Sequence, residues 1–119
     1  MRVMKVRDIV EKLGLEVKNL SPRGETREVK GAYVGDVLSH AMANLSSNDA
    51  WLTVQTHENI VGVASLMDAA CIVVCQREVP ENTLRTAQEQ GISILWSPKP
   101  VFETAGRLWV MLRDEQGVV

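Results

Sequence analysis

Aromatic residues are few: one tyrosine, one phenylalanine and three tryptophans in 119 residues. None is interleaved with a basic stripe, and 13 Lys and Arg against 15 Asp and Glu give a formal charge of −2. The electrostatic footprint of a nucleic-acid binder is therefore missing, and nucleic acid is excluded as the expected partner. No apolar run approaches the roughly 18 to 20 residues of a membrane helix. The N-terminal MRVMKVRDIV also lacks the apolar core of a signal peptide. The expectation is a soluble cytoplasmic protein with no membrane attachment. No glycine-rich phosphate loop occurs, neither a P-loop nor a dinucleotide fingerprint, which argues against an ATPase or a dehydrogenase. Two histidines and two cysteines offer no closely spaced pair of the structural-zinc kind, so neither metal nor cofactor is expected. Cys71 and Cys75 stand four apart in an expected strand, about 13 Å along the chain and too far for a disulfide. Their even spacing puts them on one strand face as reduced core thiols, with Cys75 ending its strand partly exposed.

What is present is apolar content of 45% over 119 residues, enough for one compact domain over residues 1–119 with a core of its own. Val6, Ile9, Val10 and Leu13 at helical spacing, followed by Gly14, predict a first helix at 6–13. LEVKNL reads as a short strand, SPRGET as a loop, and REVKGAYVGD as a second strand turning at Gly35. Asp36 is placed to N-cap the helix VLSHAMANL, whose Val37, Leu38, Ala41, Met42 and Leu45 share one face. Strand and helix then alternate: AWLTVQT, ENIVGVASLMD, ACIVVC, PENTLRTAQEQG, ISILWS. Such alternation predicts an α/β fold, a three-layer α/β/α sandwich with a largely parallel central sheet of four to five strands. ACIVVC is apolar throughout, as a strand covered on both faces must be, and is expected at the centre. Pro80, Glu81 and Gly91 bracket a helix over 80–90. Ser97 and Pro98 open a last helix through VFETAGRLWVMLRD, with Val101, Ala105, Leu108, Trp109 and Leu112 on one face and EQGVV as a frayed tail. Trp109, Val110 and Met111 are consecutive and cannot all face one core, so at least one emerges.

The polar knot Thr56-His57-Glu58-Asn59 follows a strand and opens a helix, the place where open α/β sheets bind ligands. Free amides at a helix start suit an anion, with Thr56 and His57 facing it and Asn59 in support. The alternative is ordinary helix chemistry, with Thr56 as N-cap and His57 solvated in the first turn. His57 as a general base with Glu58, joined by His40, has no motif behind it, and no catalytic residue is assigned. Gln76 and Arg77 follow the central strand, and Arg77 is either a partner for an anion or a solvated loop arginine. Gly35 in YVGD permits a close ligand approach or a tight turn. If the sheet is parallel, Gly35, Asp36, Gln55, Thr56, His57, Asn59, Gln76 and Arg77 converge on one rim and form the candidate ligand site.

The strings MKVRDIVEKLGLEV, GAYVGDVLSHAMAN, WLTVQTHENIVGVASL and ENTLRTAQEQGISIL resemble a DRTGG domain, over about residues 4 to 108. That family is named for an Asp-Arg pair after one strand and a Thr-Gly-Gly run after the next. Thr56-His57 and Val74-Cys75-Gln76 stand at those places here, so the chain resembles a divergent, stand-alone branch with QTH at the knot. The branch occurs in anaerobic bacteria, often beside iron-only hydrogenase and other iron–sulfur redox genes. DRTGG domains accompany phosphotransacetylases and, between nucleotide-binding CBS domains, regulated pyrophosphatases. They are similar to the N-terminal domain of HPr kinase/phosphorylase. The resemblance implies a three-layer α/β fold and a non-catalytic regulatory or dimerising role. The expectation is a homodimeric ligand-sensing module for a nucleotide or other small anionic metabolite, linked to anaerobic redox metabolism and a redox-enzyme partner. A ligand-free protein–protein interaction module and a small hydrolase or transferase using His57 are the alternatives.

Overall fold

A computed structural model describes residues 3–116, with side chains described to residue 114. Five helices and five strands follow in the order α1 (Val6–Leu13), β1 (Glu16–Asn19), β2 (Gly31–Val34), α2 (Leu38–Asn44), β3 (Asp49–Thr53), α3 (Asn59–Leu66), β4 (Cys71–Cys75), α4 (Glu81–Gln90), β5 (Ile94–Ser97) and α5 (Val101–Gln116). A single 3-10 turn at Gly24–Thr26 interrupts the long loop after β1. The sheet order is β1-β5-β4-β3-β2, parallel from β2 to β5 and antiparallel only between β1 and β5.

Alternation along the buried strands divides the core into two layers. Leu52, Cys71, Val73, Cys75 and Leu95 point to one face, where Val6, Ile9 and Leu13 of α1 and Leu108 and Leu112 of α5 cover them. Trp51, Ile72, Val74 and Ile94 point to the other, under α2, α3 and α4. Three successive crossovers of one hand produce this segregation. The result is a three-layer α/β/α sandwich in which all five residues of β4 are buried, as its unbroken apolarity requires. Because strand order rises steadily from β2 to β5, the parallel part contains no reversal and opens no crevice between diverging helices.

Several local expectations change. Asp36 does not cap α2: the N-cap is Val37 and carries no side-chain bond. Its carboxylate instead takes two donors at the end of β3, as described below. Val37 and Met42 of the expected apolar face are exposed, because the seven-residue helix and its C-cap present only Leu38, Ala41 and the C-cap Leu45 to the sheet layer. The last helix begins at Val101 rather than at Ser97–Pro98. Pro98 and Pro100 disfavour helical backbone at the residues before them, which delays the first turn. It continues through Gln116, so Glu115 and Gln116 are helical, while residues 117–119 of the expected tail lie outside the described residues. Trp109 leaves the core face and is 60% exposed, with Val110 beside it, while Met111 packs inward.

Candidate functional site

The parallel sheet brings the carboxyl ends of β2, β3 and β4 side by side. Asp36 Oδ1 accepts from the buried Thr53 hydroxyl at 2.8 Å and from Val54 N–H at 2.9 Å, pinning the end of β2 to the end of β3. Thr53 Oγ1 in turn accepts from Gln55 N–H at 3.0 Å. Beneath them the indole Nε1 of Trp51 donates to Gly35 O at 2.9 Å. A Cβ on Gly35 would stand 2.6 Å from the Tyr33 hydroxyl. Glycine is needed there for the approach of Tyr33, and the space over Gly35 is taken by this side chain.

Gln55 closes over the start of α3. Its Oε1 accepts from Thr56 N–H at 3.3 Å and His57 N–H at 3.4 Å, and its Nε2 donates to Asp36 O at 3.4 Å. All three are longer than the usual ~2.9 to 3.0 Å of an N–H···O bond, and so are weak. Thr56 is not the cap. The N-cap position is Glu58, which makes no side-chain cap bond, and His57 just before it accepts from Asn59 N–H at 3.1 Å through Nδ1 while its ring stays exposed. The Thr56 carbonyl accepts from the buried Thr83 hydroxyl of α4 at 2.7 Å, and Glu58 accepts from Thr86 at 3.1 Å. Glu58 is thus tied to α4, and among the described residues no hydrogen bond joins it to His57 or His40. His40 is exposed on α2, where its carbonyl accepts from Asn44.

Gln76 leaves β4 in left-handed backbone, φ 66°, a conformation uncommon for a residue with a Cβ. Its N–H donates to Ser97 O at 2.8 Å. Arg77 follows, exposed, and its guanidinium reaches back to Val54 O at 3.4 Å, across the strand gap to the Gln55 loop. Gly35, Asp36, Gln55, Thr56, His57, Asn59, Gln76 and Arg77 therefore occupy one connected rim. Cys75, expected to be partly exposed at this edge, is fully buried instead. Burial pushes its thiol above the ordinary value, opposed by the Thr104 hydroxyl and reinforced by Asp36. Cys71 is pushed up to about 12 by burial, against the pull of Arg27. α5 is what covers Cys75: Thr104 meets Ser97 Oγ at 2.8 Å beside it.

A second feature escaped the sequence. A groove of about 570 Å³ lies between β2 and α5, lined by Ala32, Val34, Trp109, Asn44 and Asp49 among others. Asp49 is nearly buried there, its Oδ2 accepting from Ser46 N–H at 2.8 Å. Burial raises its carboxyl above the ordinary value, with that amide acting the other way. Asp49 sat in the polar break SSND, and Trp109 in an apparent core face, so neither signalled a concavity.

No helix of the described residues is long and apolar enough to cross a membrane. Neither a family model nor a curated protein matches the sequence. Among solved structures the chain is similar to the CBS and DRTGG domains of the regulatory region of Clostridium perfringens pyrophosphatase, complexed with the activator diadenosine tetraphosphate. The TM-score is 0.72 at 13% identity, over 88% of this chain and 46% of that one. At such identity the likeness establishes architecture alone: the α/β/α sandwich described above is similar in fold to part of that CBS and DRTGG region.

Proposed function

We propose that the chain is a non-catalytic regulatory module, one domain over residues 1–119, that binds a nucleotide or another small anionic metabolite at the rim and works as a homodimer. The observation that carries this is the Gln55 latch. Its side-chain oxygen occupies the two amides, Thr56 and His57, that would otherwise greet an anion at the start of α3, and it does so through bonds of 3.3 and 3.4 Å. A phosphate or carboxylate displaces Gln55, takes both amides in charge-assisted bonds, and meets the Arg77 guanidinium from β4. His57 and Asn59 hold the helix start in shape, Asp36 and Gly35 set the β2 end behind the latch, and Gln76 aims Arg77. The pyrophosphatase regulatory region, similar in fold, was solved with a nucleotide activator, which supports the ligand class. Release of Gln55 frees its hold on Asp36 O, so ligand occupancy is transmitted to the β2 end. An iron–sulfur redox enzyme as recipient of that signal rests on the resemblance to the QTH branch.

A thermal-shift series with inorganic phosphate, mono- to triphosphate nucleosides and diadenosine tetraphosphate tests the ligand. A ligand at about 100 times its Kd adds about 2.7 kcal/mol of stability. Arg77→Ala should abolish the shift, and absence of any shift at millimolar concentration would refute the ligand. The apolar groove beside β2 favours a second reading, an interaction module without ligand, and that outcome is what a flat thermal-shift series combined with self-association would establish.

A further inference from the structure

The two edges of the sheet are built differently. β1 carries Glu16 and Lys18, joined at 2.9 Å, and its pairing with β5 slips between Val17 and Asn19. Lys18 also lies over the Trp96 ring, 5.6 Å from its centroid. Charges and irregular register are how a sheet edge refuses another strand. β2, with the sequence Gly-Ala-Tyr-Val, has neither. It pairs β3 on one side and no other strand of the described residues. Ala32 and Val34 face the α5 layer in register with Ala50 and Leu52, yet Val34 is 49% exposed and Trp109, across the groove, 60%.

We propose that this edge is the seam at which a second copy of the chain adds its own β2, antiparallel, so that two five-stranded sheets become one. The proposal rests on the homodimer reading above and names its surface. Gly35 N–H donates to Leu52 O at 3.2 Å, so strand alternation turns the amides and carbonyls of Ala32 and Val34 outward. About a two-fold axis, one register uses all of them: Ala32 opposite the partner's Val34, and Val34 opposite the partner's Ala32, with Tyr33 meeting the partner's Tyr33 on the axis. A shift of two residues one way sets Val34 against the partner's Lys30, whose N–H is already given to Asn48 O at 2.9 Å. A shift the other way sets Ala32 against the partner's Asp36, where the chain has turned towards β3. Gly31 falls opposite the partner's Gly35. The pairing covers Val34 and the exposed face of Trp109 on both copies.

Sedimentation velocity of the full chain without any nucleotide tests the seam, independently of whether the rim binds one. The wild type should sediment as a dimer. Val34→Lys and Trp109→Glu place like charges at a two-fold seam and should each weaken the dimer about 100-fold or more. Phe102→Glu is the control: Phe102 is 91% exposed on α5 and outside the groove, so the dimer should be unchanged. Hydrogen exchange on the unsubstituted protein gives a second readout, with the Ala32 and Val34 amides becoming more protected as concentration rises. A monomer at high concentration removes the dimer and this seam together. A dimer that survives both groove variants, or one broken by Phe102→Glu, removes the seam alone. Retention of Ala32 and Val34 exchange in a persistent dimer does the same, and leaves the groove to an extended peptide or to a planar ligand on Trp109.

Discussion

Replacing Asp36 separates its role as a strand tie from any role as a charge. The carboxylate holds the Thr53 hydroxyl at 2.8 Å and the Val54 amide at 2.9 Å, and Thr53 is completely buried. Asp36→Ala leaves the hydroxyl of a fully buried threonine without its acceptor, which costs about 1 to 3 kcal/mol. The Val54 amide sits in a partly exposed residue, can recover a water, and adds about 0.5 kcal/mol at most. The sum is about 2 kcal/mol, or a fall in Tm of roughly 8 °C for a domain of this length. Asp36→Asn keeps an oxygen acceptor in the same place and should lose under about 1 kcal/mol. Urea unfolding followed by tryptophan fluorescence, with Tm by circular dichroism, measures both. If Asp36→Ala lies within about 0.5 kcal/mol of the parent, or if Asn is as damaging as Ala, the tie between β2 and β3 is not made as described.

Three further outcomes follow from the same geometry. Both thiols are buried and shifted towards the neutral form, Cys71 to about 12, so a thiol reagent at pH 8 should label neither cysteine in the native protein and both after unfolding; one thiol reacting within seconds would contradict their burial. The Ser47 hydroxyl and the Arg27 guanidinium hold the Asp68 carboxyl below its ordinary 3.8, so the stability it contributes is present above that value and lost as pH falls through the folded one. Since Asp68 is largely exposed, Asp68→Asn should cost under about 1 kcal/mol at pH 7, with parent and variant converging in acid; a gap that persists or widens at low pH would show another cause. His57→Ala removes the acceptor of the Asn59 amide and should cost about 0.5 to 1 kcal/mol; a loss beyond about 2 kcal/mol would mean that His57 does more than hold that one amide.

Legibility in the sequence tracked how local the cause was. ACIVVC announced a central strand because burial on both faces leaves no polar position, and α4 was bracketed by Pro80 and a left-handed Gly91. The convergence of three strand ends followed from the alternation alone, since a run of strand–helix units has parallel strands as its outcome. Asp36 misled because a carboxylate before a helix is a local cap signal, while its actual donors come from Thr53 and Val54, 17 and 18 residues on. The ties from Thr83 to Thr56 and from Thr86 to Glu58 span 27 and 28 residues, and nothing local marks them. Trp109 has core spacing on α5, but that helix runs past β2, the edge strand, where no further strand or helix of the described residues covers the indole. Which strand ends a sheet is a property of the whole chain, and so was the groove.

The rim itself is best examined by titrating 15N-labelled protein with ADP and following every amide. Displacement of Gln55 predicts that the Thr56 and His57 amides and the Gln55 side-chain amide shift first and saturate together, and that Arg77→Ala removes the response while the rest of the spectrum is kept. No shift at millimolar ADP, phosphate and diadenosine tetraphosphate, or shifts confined to Ala32, Val34 and Asn44 at the groove, would contradict a ligand at the carboxyl edge of the sheet.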